Sequence, residues 1–264
     1  MPQNQSPPTT PFWDARAPIY LIESPSPEDL YAGRNEGHSL VYTLSLGAIE
    51  VTYFLATNVD RFEQALKDIG DIISRRVDCE DVLPFVHISA HGSDDGVELT
   101  DGDVILWPRL SKLLCDLHDK IGSCSVVGSD GKGIEKCSLS LSSCSAYTNF
   151  IESEGHSLPV QAVLGPTTDV EWCQSLVAFS SFYYQAFVLR QSFSDSVLAM
   201  NAASSERGKS IFALSYKKGL SLVGAGAPVI AQRFAAEAAI ATGFDRETLD
   251  TAFPTARQPS EFSN

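Results

Sequence analysis

Apolar residues fall along the chain in short runs, separated by polar stretches with helical or turn patterns. The segments PFVHISAHG at 84–92 and CSLSLSSCSAY at 137–147 carry β-branched or alternating apolar residues into a turn of small residues, which predicts strands. Residues 58–76 place apolar side chains at spacings of three to four, which predicts an amphipathic helix that buries Phe62, Leu66, Ile69 and Ile73. Strands that alternate with helices predict an α/β fold.

Three further segments complete this pattern. Residues 24–48 predict a Pro-rich loop and then a helix that turns Leu30, Leu40, Tyr42 and Leu44 toward the sheet. Residues 210–219, SIFALSYKKG, predict a late strand, and residues 229–243 predict a closing helix that stops at Gly243. The Gly-rich segment 125–136 reads as a loop or hairpin, and it is open whether this is a lid, a self-cleavage site at Lys132 or Lys136, or a plain solvated turn.

Two of the predicted strands end in a side chain with chemical reactivity. His91 is followed at once by Gly92, and Cys144 lies in a turn of the small residues Ser142, Ser143, Ser145 and Ala146. Open α/β sheets carry their chemistry just outside the carboxyl ends of parallel strands, so the two side chains converge if the strands are neighbours. His91 precedes Cys144 by 53 residues, which is enough for a helix and a small hairpin between two parallel strands.

The chemistry of such a Cys–His pair is nucleophilic catalysis. A thiol attacks a carbonyl as its anion, and an unperturbed cysteine with a pKa of ~8.5 is only a few per cent ionised at neutral pH. A nearby imidazole takes that proton or protonates the leaving amine. Backbone N–H groups in the turns at Gly92 and Cys144 are candidates for stabilising the oxyanion, and Gly92 allows close approach because it has no Cβ.

The order of these segments resembles the caspase-like cysteine peptidases of clan CD, and more closely their bacterial CHAT branch. The resemblance covers about residues 17–218 and runs through successive strands, a hairpin with its helix, and a helix pair: PIYLIESP, AIEVTYFLATN, VLPFVHISAHG, VELTDGDVILWPRLSKLL, KCSLSLSSCSA, VQAVLGPTTDVEW and AFSSFYYQAFVLRQSFSDSVLAMNAA. It implies a three-layer α/β/α sandwich around a mainly parallel central sheet, formed by one domain over residues 17–250. It also implies that His91 and Cys144 are the catalytic dyad, that Gly92 contributes to the oxyanion site, and that Ser142 lines the substrate pocket.

The residues that select the substrate depart from the animal caspases. The nucleophile turn reads SSCSAY and lacks the Gln-Ala-Cys-Arg-Gly signature, so aspartate specificity does not carry over. In arginine-specific relatives an acidic residue after the next strand pairs with the basic substrate side chain, and Asp169 and Glu171 occupy that region here. A carboxylate there would bind Arg or Lys. The alternative is that both residues are charges that stabilise the N-terminus of the following helix.

Other candidate chemistry is weaker. Cysteine is among the most buried residue types, so the remaining cysteines default to structural thiols: Cys79, Cys115, Cys124, Cys137 and Cys173. His87 and His91 would share a helix face, but their segment reads as a strand, and no CxxC pair is present, so no metal site is predicted. No cofactor is predicted either, because the GAGAP segment at 224–228 lacks the Lys-Ser/Thr of a phosphate loop.

Composition sets the expected surroundings. The net charge of −14, from 19 basic and 33 acidic residues, argues against nucleic acid and anionic membranes as partners and permits a cationic peptide substrate. The cysteines are irregularly spaced, and no export signal or membrane span is evident, so a cytoplasmic location is expected. Residues 1–16 are rich in Pro, Gln, Ser and Thr and are expected to be a disordered tail, and residues 251–264 a flexible one.

The function predicted from the sequence is hydrolysis of peptide bonds in protein substrates by a cysteine endopeptidase. The resemblance further implies a bacterial role in defence or regulated proteolysis, with activation by a partner protein or by cleavage. Two alternatives remain open. One is a catalytically silent caspase-like domain that acts as a scaffold or regulatory partner, and the other is a small-molecule or nucleotide hydrolase that uses the same sheet.

Overall fold

The structure, a computed structural model, describes residues 18–75, 84–127, 133–135, 137–154, 159–204 and 210–216. Several predicted features lie outside the described residues: the two terminal tails, the closing helix at 229–243, Lys132 and Lys136. Within the described part of the chain, no helix combines the length and the apolar character needed to span a membrane.

Parallel strands form most of the central sheet. The described residues form ten strands: β1 (Ile19–Ser24), β2 (Val51–Leu55), β3 (Phe85–Gly92), β4 (Gly96–Glu98), β5 (Val104–Leu106), β6 (Ser123–Val127), β7 (Gly133–Glu135), β8 (Ser138–Ser142), β9 (Ala162–Pro166) and β10 (Phe212–Tyr216). The order across the sheet is β10-β9-β8-β3-β1-β2, and only β10 runs antiparallel to its neighbour on this path. The short β4–β5 hairpin pairs with the end of β3, and β6 pairs with β7 separately.

Helices cover both faces of this sheet. They are α1 (Pro27–Ala32), α2 (Glu36–Ser45), α3 (Val59–Arg75), α4 (Trp107–Ile121), α5 (Ala146–Glu154), α6 (Trp172–Tyr183), which continues into a π-helical turn at Tyr184–Val188, and α7 (Phe193–Ser204). Helices α3, α4 and α5 pack in sequence on one face, and α2, α6 and α7 on the other. The prediction of a three-layer α/β/α sandwich around a mainly parallel sheet is confirmed.

Two helices test which side chains the periodicity of the sequence predicts to be buried. The predicted amphipathic helix is α3, and its four predicted apolar positions, Phe62, Leu66, Ile69 and Ile73, are buried. In α2, Leu40 and Leu44 are buried as predicted, but the prediction for Tyr42 is wrong, because its side chain is 66% exposed. Residues four apart share a helix face whereas residues two apart do not, which is why Tyr42 points away from the sheet.

The core under α2, α6 and α7 is built around aromatic rings. Phe85, at the start of β3, is fully buried and has four ring neighbours with centroids 5.3–6.1 Å away: Phe182, Tyr183, Phe187 and Phe193. All four contacts are edge-to-face, the geometry that aromatic quadrupoles favour, and each is worth about 0.5–1.5 kcal/mol beyond the area that it buries. This cluster anchors the beginning of the strand that ends at His91.

Strands β3 and β8 lie side by side in the middle of the sheet. Their parallel register pairs Phe85 with Ser138 and continues residue by residue to Ser89 with Ser142. Each pair differs by 53 residues, which is also the separation of His91 and Cys144. The register therefore aims the two predicted catalytic residues at equivalent positions, two residues beyond the last pair.

Candidate active site

The carboxyl ends of β3 and β8 meet closely at Gly92. A Cβ placed on Gly92 would meet the carbonyl oxygen of Cys144 and would lie 2.6 Å from Ser143 Oγ and 2.8 Å from the Cys144 nitrogen. Because real Cβ atoms do not come so near, only glycine fits at the last position of β3, where it packs against the turn after β8. The backbone of Cys144 thus packs against Gly92, the residue that follows His91.

Cys144 lies in a tight turn that leads into α5. Ser145 has a φ of 52°, and its N–H donates to the carbonyl of Thr168 at 3.0 Å, so the turn is held by the segment after β9. The Cys144 thiol is half-buried and donates to the carbonyl of Val170 at 3.5 Å, in the same segment. The thiol is therefore reachable, but its present hydrogen bond is to a backbone carbonyl.

The imidazole of His91 contacts a carboxylate and an indole. Its Nε2 lies 3.1 Å from Asp29 Oδ2, across 62 residues of sequence. The ring of Trp172 meets it edge-to-face with centroids 5.0 Å apart. The His91 side chain is 40% exposed, so one side of the ring remains open to solvent or substrate.

Asp29 is a buried carboxylate with four donors. Its Oδ2 accepts from the Ser26 hydroxyl, the Trp172 indole N–H and His91 Nε2, and its Oδ1 accepts from Arg34 Nε at 2.8 Å. Burial alone would raise the pKa of Asp29, but the hydrogen bonds from Ser26, Arg34, His91 and Trp172 outweigh it and lower the pKa to about 2. The carboxylate is therefore ionised wherever the protein is folded near neutral pH.

A second buried carboxyl group, that of Glu36, lies beneath the strand ends. Ser89 Oγ donates to it at 2.9 Å from β3, and Ser142 Oγ donates at 2.7 and 2.8 Å from β8. Ser175 of α6 bonds the same Ser142 hydroxyl. Burial raises the pKa of Glu36 to about 7, and nearby Glu23 adds to the effect, while the bonds from Ser142 and Ser89 oppose it.

Glu23 is the neighbour of Glu36 at the end of β1. Its carboxylate accepts from the backbone N–H groups of Gly37 and His38, at the N-terminus of α2, and from the Tyr53 hydroxyl at 2.7 Å. Burial raises the pKa of Glu23 although these three bonds lower it. The oxygens of Glu23 thus satisfy a helix start that would otherwise leave its N–H groups unpaired.

His87 belongs to the core of the sheet. It is fully buried, its Nδ1 lies 2.9 Å from the Tyr183 hydroxyl, and its Nε2 has no partner. Burial lowers its pKa to about 3, so the ring stays neutral. In the part of the chain that the structure describes, no group of His, Cys, Asp and Glu side chains could hold a metal ion.

The predicted substrate-binding residues fall in different surroundings. Ser142 is buried and bonded to Glu36, at the base of the site. Asp169 is close to the turn that carries Cys144, since its Oδ1 accepts from Ser145 Oγ at 3.0 Å. Glu171 is the N-cap residue of α6, and its backbone N–H faces Gln174 Oε1 at 3.5 Å. Their role toward a substrate stays a prediction.

Sequence reasoning missed Asp29, Glu36 and Trp172. Asp29 had a visible signal, because Ser26 and Asp29 form an S-x-x-D capping pattern, and Ser26 Oγ does accept from the Asp29 N–H at 3.1 Å. That pattern predicts a helix start and says nothing about a histidine 62 residues later. Glu36 and Trp172 also act across long separations in sequence that no local motif encodes.

The fold of the chain is similar to that of a solved cysteine proteinase. The chain is similar to the Arg specific cysteine proteinase gingipain R (RGPB), with a TM-score of 0.37 and 10% sequence identity over 70% of this chain and 42% of that one. The chain thus spans less than half of that neighbour's length. No protein-family model matches the sequence, and no curated protein does. A likeness of this size carries no functional argument, so the function must be argued from the site.

Proposed function

We propose that the protein is a cysteine endopeptidase in which Cys144 is the nucleophile and His91 transfers protons. One observation carries the proposal: the register of β3 and β8 aims a histidine and a cysteine at equivalent strand ends, and Gly92 packs against the backbone of Cys144. Neighbouring parallel strands present reactive side chains at one edge of a sheet, where α/β proteins bind their ligands. The nucleophile, its base and nearby backbone N–H groups then share one small region.

The reaction proceeds through an acyl-enzyme. The Cys144 thiol gives its proton to His91, and the sulfur forms a bond to the carbonyl carbon of the scissile peptide. The oxyanion then re-forms the carbonyl as the C–N bond breaks, and His91 protonates the leaving amine. In the second half, His91 takes a proton from water, the hydroxide attacks the thioester, and the carboxylic product leaves as the thiol is restored.

Two features of the turn support this chemistry. Backbone N–H groups at Gly92 and Cys144 are the proposed oxyanion donors, and one such donor is worth about 3 kcal/mol in an acyl transfer. Cys144 also lies two residues before α5, whose positive N-terminal end favours negative charge on the sulfur. The hydrogen bond to the Val170 carbonyl must break before the sulfur attacks.

The proposed substrate is a peptide with a basic side chain at the cleavage site. The proposed role of the protein is bacterial defence or regulated proteolysis, triggered by a partner protein. Asp169 is the better placed of the two predicted carboxylates, because its hydrogen bond to Ser145 holds it beside the nucleophile turn. Glu171 is engaged as the N-cap residue of α6. The net charge of −14 also favours cationic partners, which agrees with a basic substrate.

A second candidate function is a silent scaffold of the same fold. It is favoured by the thiol contact: among the described residues, the hydrogen-bond partner of Cys144 is Val170 and not His91. In apo enzymes catalytic hydrogen bonds are often loose and tighten only with substrate. The contact of Cys144 with Val170 is therefore as consistent with a resting enzyme as with a silent scaffold.

Cleavage of a mixed peptide library, with the cut sites identified by mass spectrometry, tests the proposal. The matched variants are Cys144→Ala and Cys173→Ala, since Cys173 is an exposed thiol near the site. The expected result is cutting after one residue type by the wild type and by Cys173→Ala, and none by Cys144→Ala. Cuts that survive in Cys144→Ala would reject Cys144 as nucleophile. If no protein cuts and a peptide electrophile leaves Cys144 unlabelled, the scaffold function replaces the proposal.

A further inference from the structure

We propose that Asp29 is the positioning residue of His91: its carboxylate holds the Nε2–H of the imidazole, so that Nδ1 is the nitrogen that exchanges protons with Cys144 and with water. The inference rests on the proposed peptidase function, and it assigns a role to a residue on the short helix α1, far from both catalytic strands in the sequence. Asp29 itself touches neither substrate nor thiol in this role.

The assignment of nitrogens follows from what each group can donate. An ionised carboxylate only accepts hydrogen bonds, and the low pKa of Asp29 keeps it ionised. His91 Nε2, 3.1 Å from Asp29 Oδ2, must then carry a proton. A neutral imidazole has a single N–H, so its Nδ1 is left with a free lone pair. The nitrogen that acts as the base is thereby fixed.

Asp29 is fixed well enough to impose an orientation. Ser26 Oγ holds Oδ2 at 2.8 Å and Arg34 holds Oδ1 at 2.8 Å, and the whole residue is only 6% exposed. Trp172 donates its indole N–H to the same Oδ2 at 3.2 Å and lays its ring against His91. The imidazole is therefore constrained at Nε2 by the carboxylate and on its side by the indole.

The charge of Asp29 also favours the protonated intermediate. When His91 accepts a proton it becomes a cation, and the ionised carboxylate of Asp29, 3.1 Å away, then faces an opposite charge. Arg34 offsets part of the negative charge, but its side chain is 64% exposed and so is screened by water. Loss of such a carboxylate from a catalytic histidine reduces kcat by about 10²- to 10⁴-fold in comparable sites.

A purely structural role is the alternative, because Asp29 takes part in the cap of α1. The chain offers a matched control: Ser192 and Asp195 form the same motif at the start of α7, with hydroxyl to carboxylate at 2.6 Å and Asp195 N–H to Ser192 Oγ at 3.0 Å. The variants Asp29→Asn and Asp195→Asn therefore remove the same cap charge, one beside His91 and one on a different helix.

The test combines kinetics on the cleaved peptide with ¹⁵N NMR of the full chain labelled at histidine. The His91 signal is assigned by its loss in His91→Gln. In the wild type we expect the Nε2–H tautomer, and Asp29→Asn should mix the tautomers and lower kcat by at least about 100-fold with KM changed less than about threefold. Asp29→Glu should recover part of kcat, and Asp195→Asn should keep wild-type kcat.

Two results would overturn the proposal: a predominant Nδ1–H tautomer of His91 in the wild type, or equal kcat for Asp29→Asn and Asp195→Asn. The NMR measurement does not require cleavage. A protein that cuts no peptide and leaves Cys144 unlabelled by a peptide electrophile, but shows the Nε2–H tautomer, lost in Asp29→Asn, would reject the peptidase function and keep the positioning contact.

Discussion

Ser142 shares its hydroxyl proton between the two carboxylate oxygens of Glu36, at 2.8 and 2.7 Å. The contact joins the last residue of β8 to the first residue of α2. Since Ser89 approaches the same carboxyl group from β3, Glu36 bridges the two strands that carry Cys144 and His91. A group with this position and a pKa of about 7 makes the stability of the site depend on pH.

Glu36→Gln should change how stability varies with pH. The pKa of Glu36 is raised from 4.5 to about 7, so the folded protein keeps the proton on this carboxyl group up to a higher pH than the unfolded chain does. The contribution of protonated Glu36 to the free energy of unfolding, about 3 kcal/mol, is fully present below pH 4.5 and is lost as the pH rises to 7. We expect urea unfolding at pH 5 and pH 8 to show this loss in the wild type and to show it reduced in Glu36→Gln.

The control is Glu152→Gln, which changes an exposed carboxylate on α5. It should keep the pH dependence of the wild type. If Glu36→Gln does the same, Glu36 does not titrate between pH 4.5 and 7 in the folded protein.

Gly92→Ala should damage both the fold and the activity. The added methyl group would collide with the turn at Ser143 and Cys144, which must then move. Overpacking of this kind costs about 1–3 kcal/mol, and displacement of the nucleophile should lower kcat/KM by at least about 10-fold. Peptide cleavage and denaturant unfolding measure the two effects.

Gly102→Ala separates this collision from the general cost of replacing a glycine. Gly102 has a φ of 88° and open space around a Cβ, so alanine there meets strain without a clash. We expect a loss of about 1–2 kcal/mol of stability with kcat/KM unchanged. Equal kcat/KM for both variants would contradict the tight contact between Gly92 and Cys144.

Trp172→Phe should lower kcat while keeping a ring against His91. Phenylalanine preserves the aromatic contact but cannot donate to Asp29 as the indole N–H does. One lost hydrogen bond to a charged acceptor is worth about 1.5–3 kcal/mol, so we expect kcat to fall by about 10-fold or more. Steady-state kinetics provide the measurement.

Trp107→Phe is the matched variant, because Trp107 Nε1 donates to the Asp94 carbonyl at 2.8 Å on the other face of the sheet. It should lose about 1 kcal/mol of stability with little change in kcat. A wild-type kcat in Trp172→Phe would show that the indole N–H does not help to orient Asp29.

Asn201→Ala should loosen the edge of the sheet. The buried amide of Asn201 donates to the carbonyls of Val197 and Phe212 and accepts from the N–H groups of Ile211 and Phe212, so it ties α7 to β10. Alanine leaves these buried groups unpaired, at a cost of about 1–3 kcal/mol for each unsatisfied group. Thermal unfolding should show a clearly lower Tm.

Gln64→Ala provides the comparison for Asn201→Ala. Gln64 bonds Asp68 on the exposed surface of α3, where water replaces the lost contact. Its Tm should stay within a degree or two of the wild type, because such pairs contribute only about 0.2–0.5 kcal/mol. Similar Tm values for both variants would mean that the Asn201 amide adds little to the edge.

The sequence predicted what depends on short stretches of chain. The period of α3, the strands that end at His91 and Cys144, and the alternation that leads to a mainly parallel sheet are all local patterns. Tyr42 was misplaced because a helix allows only one stripe to face the sheet.

The sequence could not predict the contacts of Asp29, Glu36 and Trp172, for a different reason. Each is a polar or amphipathic side chain in a loop or first helical turn, where a capping role is an adequate local explanation. Their second partners, His91 for Asp29 and Ser142 for Glu36, become neighbours only after the sheet has assembled. Charge and spacing in a single sequence do not report such pairings.

The direct pairing of β3 with β8 separates the geometry of the site from the length of the chain between His91 and Cys144. Hydrogen bonds across β3 and β8 set the position of His91 relative to Cys144, while the β4–β5 hairpin that begins the connection pairs with His91 and Gly92. Residues added after α4, beyond that hairpin, would therefore move neither His91 nor Cys144. Each doubling of a flexible connection costs only about 0.6 kcal/mol. The stretch between α4 and β8 is thus where this protein can accept an insertion, such as a regulatory element or an engineered sensor, without rebuilding its centre.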